Sequence, residues 1–224
     1  MALRGLTFLL FVSRVEAKWG GGWWPSNDPK LQAEWKQTEQ GNFKATVTAV
    51  QSVPGKATWT VELDDLGSFG SSGRFQPLTN ADGVVCEKLN WHIHQDFISG
   101  GDSPAACGST GGHVDPALAC GGASEYAKTS CIGINAGYLP DSPYTARCDT
   151  SMDKTHLPNQ DGCEYGDLAG KVGQIDNVQG TQTFEDTHIF FLDRYAKNSI
   201  VFHCCIDGDC SPRVACADFS YIGQ

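Results

Sequence analysis

Apolar and polar positions alternate along much of the chain. Phe43, Ala45, Val47 and Ala49 share one face of residues 43–51, and Trp59, Val61 and Leu63 share one face of residues 58–66. A period of two is the mark of a strand buried on one side. A strand over 31–39 leads into the first through Gln40, Gly41 and Asn42, and Pro54, Gly55 and Lys56 supply the next turn, so this half predicts a meander of hairpins. Further strands are expected over 89–95, 167–172, 181–192, 199–204 and 213–219. No segment carries a convincing helical period. About eight short strands separated by turn residues predict an all-β chain, an antiparallel sandwich or flattened barrel.

Two stretches break the rhythm. Residues 67–85 read as a long Gly/Ser-containing loop, and residues 96–165 have little strand character. Five Cys lie in the second stretch, Cys107, Cys120, Cys131, Cys148 and Cys163, which predicts a loop pinned by disulfides. A chain of 224 residues can bury a core without such staples. Its ten Cys therefore point to the compartment in which it folds.

The N-terminus agrees. Arg4, a short apolar run over 5–12 and the small-x-small sequence Val15-Glu16-Ala17 form a secretory leader, with the mature chain expected from Lys18. The predicted division is a signal peptide over 1–17, a Trp/Gly-rich arm over 18–29 with Trp19, Trp23 and Trp24, and one β domain over 30–224. A secreted protein is expected. No later apolar stretch approaches the ~20 residues of a membrane span. The formal net charge of -10, with no cluster of Lys or Arg, argues against a nucleic-acid partner.

Candidate chemistry is concentrated in histidine. Alternation through Leu89-Asn90-Trp91-His92-Ile93-His94-Gln95 puts His92 and His94 on one face and Leu89, Trp91 and Ile93 on the other. Because the apolar set must face the core, a metal held by the two imidazoles lies outside the sheet, under a loop. His203 closes a strand whose Ile200 and Phe202 take the core face, and His113 sits in a glycine-rich loop. Imidazoles without an adjacent thiolate or carboxylate suit copper or zinc, and copper has the higher affinity at nitrogen-rich sites.

Taken in order, the pattern resembles the copper/zinc superoxide dismutase family from about Leu31 to Phe219. The pattern is HxH at a strand end, Cys107 with His113 six residues on, Asp115-Pro116, Gly166-Asp167-Leu168, a strand closing in His203, and Arg213 three before Cys216. The resemblance implies a Greek-key, eight-stranded flattened barrel or β-sandwich with a long disulfide-pinned loop. It implies copper held by His92, His94, His113 and His203, a disulfide between Cys107 and Cys216, Arg213 as the active-site arginine, and superoxide as substrate. Glu164 stands where zinc-containing members have a zinc-ligand His, and the loop after His203 is cut to residues 204–212. These departures resemble the extracellular copper-only members. Zinc is therefore not expected, although His156 offers a possible extra ligand, and Glu164 and Asp167 are read as backing the ligand set, with Glu164 on His113. His188 reads as structural. The remaining cysteines fall into two sets of four, one pinning the long loop and one of Cys86, Cys204, Cys205 and Cys210, with the pairings open. The alternative function is an extracellular copper-binding or buffering protein.

Overall fold

The alternation becomes two antiparallel sheets. In the computed structural model the described residues are 30–35, 43–53, 55–65, 75–99, 105–116, 118–119, 123–131, 164–189 and 192–222. The leader and the Trp-rich arm lie outside them, as do His156, Cys120, Cys148 and Cys163. The strands are β1 (Lys30–Trp35), β2 (Phe43–Val53), β3 (Lys56–Asp65), β4 (Lys88–His94), β5 (Ile175–Asp176), β6 (Gly180–Asp186), β7 (Ser199–Cys205), β8 (Arg213–Asp218) and β9 (Ser220–Tyr221). One sheet runs β6-β3-β2-β1-β9 and the other β5-β4-β7-β8. The architecture is a β-sandwich.

The core lies between the sheets. Leu31, Ala33 and Trp35 from β1, Val47 from β2 and Trp59 and Val61 from β3 meet Leu89, Trp91 and Ile93 from β4 and Ile200 and Phe202 from β7. Trp35 stacks on Phe202 at 4.6 Å, and Trp59 meets Trp91 edge-on at 5.9 Å, so aromatic pairs tie one layer to the other. Each large side chain fully buried here is worth about 1.5–3 kcal/mol. β7 is buried along its whole length. Its second face lies under the loop side of the molecule, where Val201 packs with Cys107 and Cys216.

Two expected strands are corrected. Residues 167–172 contain a short helix, α1 (Leu168–Val172), rather than a strand. The Asp167 carboxylate accepts from Gly170 N and caps its start, while Gly173, at a φ of 102°, ends it. The strand expected over 181–192 stops at Asp186, and a 3₁₀ turn spans Leu192–Tyr195. The chain leaves the ladder there because the buried Asp186 carboxylate takes Lys171 Nζ at 2.6 Å and His188 N at 2.8 Å. This buried ion pair fastens α1 to the edge of the opposite sheet.

Candidate metal centre

The second face of β4 carries the site. Core packing of Leu89, Trp91 and Ile93 turns His92 and His94 to the other side of the strand. In the β4–β7 register Asn90 faces His203 and His92 faces Val201, so His203 is the diagonal neighbour of His92. A register shift between Phe202 and His203 sets His203 opposite Arg213 on β8.

His113 arrives from the loop by adding a short extended segment alongside β4. Gln95 N donates to Gly112 O at 3.0 Å, Val114 N to Ile93 O at 3.0 Å, and His113 N to Ala123 O at 2.7 Å. Gly166 completes this layer, donating to Val114 O and accepting from Ile93 N, both at 2.8 Å. A Cβ at Gly166 would stand 2.4 Å from Ile93 O, so only glycine lets three backbones meet here. Asp115, buried beside the segment, accepts from Ser124 Oγ at 2.7 Å and Ala119 N at 2.8 Å and holds the next turn.

The four imidazoles converge. One ring nitrogen from each of His92, His94, His113 and His203 lies within 4.8 Å of the others, and all four residues are buried. Each ring has an acceptor on its outer nitrogen. His94 Nδ1 donates to Gly111 O at 2.9 Å, His203 Nδ1 to Ser211 O at 3.1 Å, and His92 Nε2 lies 3.3 Å from Asp167 Oδ1. His113 Nδ1 hydrogen-bonds Glu164 Oε2 at 2.5 Å, and the Ser124 backbone N–H also donates to Glu164. The inner nitrogens His92 Nδ1, His94 Nε2 and His203 Nε2 are buried with no hydrogen-bond partner among the described residues. Orphaned lone pairs of this kind are costly unless something electrophilic sits between them. The donor set is all imidazole, which fits copper.

Burial disfavours charge on these rings. It pushes His94 down to about 2 and His203 to about 3, with neighbouring imidazoles adding to both. It pushes His113 to about 4, and His92 also lies below its ordinary value. At neutral pH all four are therefore neutral imidazoles. Burial, with Asp115 and Asp167 nearby, raises Glu164 to about 8. Burial pushes Asp167 up as well, but the hydrogen bond and charge of His92, the Gly170 N–H and the nearby His113 together outweigh it and hold that carboxyl below the usual range.

Arg213 is fixed at the rim. Its Nη1 donates to Cys107 O at 2.6 Å and Thr110 Oγ1 at 3.0 Å, and its Nη2 donates to Gly111 O at 2.9 Å. Gly111, at a φ of 76°, thus turns one carbonyl toward both His94 and Arg213. The 3₁₀ turn Ala106–Thr110 that supplies the other two acceptors is tied to β8 by a disulfide between Cys107 and Cys216. Cys86 bonds Cys204, and Cys205 bonds Cys210. His188 stands apart from the cluster and stacks on Tyr165 at 4.6 Å.

Sequence reasoning missed the carbonyls of Gly111 and Ser211, since a backbone acceptor leaves no residue-type signal. It also missed Asp115 with Ser124 and the Lys171–Asp186 pair; the signal for the first was an Asp two residues beyond a candidate ligand.

No protein-family model matches the chain. A curated Arthroderma benhamiae protein, a cell surface Cu-only superoxide dismutase, is 25% identical over 211 residues, covering 86% of this chain and 46% of that protein. The chain thus spans about half the length of that relative. Among solved structures, Candida albicans superoxide dismutase 5 with Cu(II) has a TM-score of 0.52 at 20% identity, covering 88% of this chain and 94% of that one. A single-site mutant of the same protein has a TM-score of 0.50 at 18% identity, with coverage of 88% and 94%. These two likenesses carry the fold. In sequence and in fold the chain resembles the copper-only superoxide dismutases.

Proposed function

We propose that this is a secreted, copper-dependent superoxide dismutase that works without zinc. The observation that carries the reading is the convergence of four neutral imidazoles, each with an acceptor on its outer nitrogen and its inner nitrogen directed to one point. His92, His94, His113 and His203 hold the copper. Bound there, copper supplies one-electron exchange between Cu(II) and Cu(I), by which one superoxide is oxidised to oxygen and a second is reduced to hydrogen peroxide.

The chain's own groups supply the rest. Arg213 presents a fixed cation to the anionic substrate, and its three acceptors keep it from swinging away. Glu164 keeps the His113 ring oriented through Nδ1, so that Nε2 carries its one free lone pair; that nitrogen would hold the metal in one half of the cycle and, released from it, could hold a proton in the other. Glu164 and Asp167 are already engaged by His113 and His92, which leaves no closed zinc set among the described residues. A copper-buffering protein needs the same ligands; Arg213, held beside the cluster by oxygens of the same turn that fixes His94, favours catalysis.

The division into a leader over 1–17, an arm over 18–29 and a catalytic domain over 30–224 belongs to the same reading. Export is supported by the disulfides of Cys86, Cys107 and Cys205 with their partners, which persist in an oxidising compartment. Among the described residues no helix is long and apolar enough to cross a membrane. The test is purified protein loaded with copper alone. It should disproportionate superoxide, and His94→Ala should abolish that activity; equal activity in wild type and variant would reject the assignment.

A further inference from the structure

The link between β7 and β8 has to deliver the carbonyl that orients His203, and little of the fold supports it. Residues 207–209, 211 and 212 are exposed. The tip is a tight turn with Asp207 at a φ of 51° and Gly208 at 83°, closed by reciprocal bonds between Ile206 and Asp209 of 3.0 and 2.9 Å. Beyond it Ser211 O must stand 3.1 Å from His203 Nδ1, where the β7–β8 register has slipped. Pairing continues past the slip, where Cys204 N donates to Pro212 O at 2.8 Å, but it stops one residue short and does not by itself locate Ser211.

Two local ties do. Asp209 Oδ1 accepts from Ser211 N at 2.9 Å, and the disulfide between Cys205 and Cys210 joins the end of β7 to the residue before Ser211. Cys205 is buried, and its neighbour Cys204 is bonded to Cys86 just before β4, so the cross-link has a rigid base. Gln174 Nε2 rests 3.4 Å from Cys205 Sγ and 3.7 Å from Cys210 Sγ and donates to Asn90 Oδ1 at 2.7 Å, joining the turn to β4.

We propose that the Cys205–Cys210 disulfide is a positioning device for the copper site, holding the turn so that Ser211 O keeps His203 Nε2 facing the other three imidazoles. The proposal rests on reading the cluster as a copper site. A neutral imidazole carries its proton on either nitrogen, and the hydrogen bond made by one decides which is free to ligate. Among the described residues Ser211 O is the hydrogen-bond acceptor on His203 Nδ1. An exposed turn without its cross-link samples many arrangements in which that acceptor is lost.

The experiment compares wild type with Cys205→Ser/Cys210→Ser and, independently, with Asp209→Ala. Cu(II) is titrated into each metal-free protein against a competing chelator, below every unfolding midpoint, and the EPR spectrum is recorded. The double variant should bind copper at least tenfold more weakly, Asp209→Ala should weaken it by less, and both should show altered copper hyperfine splitting. Should the double variant fail to fold, the affinity and spectrum of Asp209→Ala decide. Wild-type affinity with an unchanged spectrum in the variants that fold overturns the positioning role while leaving the copper site standing. A wild-type chain that takes up no copper overturns the underlying reading and this proposal with it.

Discussion

Arg213 is a cation in a chain of formal net charge -10, and three oxygens of residues 107–111 hold its guanidinium. Charges elsewhere on the surface are screened over about 8–10 Å at physiological salt, so the sign of the nearest fixed group governs the last approach of an anion. Steering of this kind changes association rates by about 10- to 1000-fold, a general range of which superoxide dismutases are themselves an instance. Arg213→Glu should lower kcat/KM for superoxide at least tenfold while copper content stays at the wild-type level, measured by metal analysis on the assayed sample. A full rate with copper retained would favour the buffering protein. At this scale the sequence was most legible where alternation decides a face: His92, His94 and His203 each leave the core because their neighbours enter it. His113 was legible only through the family pattern, since a loop residue has no period to place it.

Among the elements, the segment that brings His113 to β4 depends on a glycine that makes no side-chain contact. Gly166→Ala puts a methyl 2.4 Å from Ile93 O and 2.8 Å from Val114 N, which must part to admit it. Because Ile93 lies between His92 and His94 and Val114 follows His113, stability and copper affinity should fall together, stability by about 2–4 kcal/mol in denaturant titration. Unchanged stability would show that the layer is not tightly closed. Lys171→Met tests the other support of this region. It leaves the buried Asp186 carboxylate without its ammonium, and loss of one partner of such a pair costs about 3–5 kcal/mol. A thermal midpoint within a degree of wild type would argue against a buried charge there. The half-barrel of hairpins was readable because one face is apolar at every second position. α1 was not, because five residues are too few to show a helical period; its capping residues Asp167 and Gly173 were the available signal.

For the whole molecule, the site makes acid stability predictable. Burial lowers the four histidines below the unfolded value of 6.5, three of them to about 2, 3 and 4. As pH falls through 6.5 the unfolded chain takes up protons that the folded chain refuses, so stability present above 6.5 is lost toward pH 4 and below. Each such histidine contributes a slope of about 1.4 kcal/mol per pH unit. Glu164, raised to about 8, works in the opposite sense, its contribution fully present below 4.5 and lost as pH rises through 8, but it is one group against four. The urea midpoint of the metal-free protein should therefore fall steeply below pH 6.5, and a variant with His94→Ala should fall less steeply. Parallel curves would contradict the assignment of buried neutral imidazoles.

The central claim is that four histidines hold one catalytic copper. The most direct measurement adds copper in sub-stoichiometric steps to the metal-free protein, with no zinc present, and reads the superoxide dismutation rate at each step. The rate should rise linearly and break at one copper per chain, with no further gain on adding zinc. A flat line through one equivalent, or a rise that appears only when zinc is supplied, would contradict it.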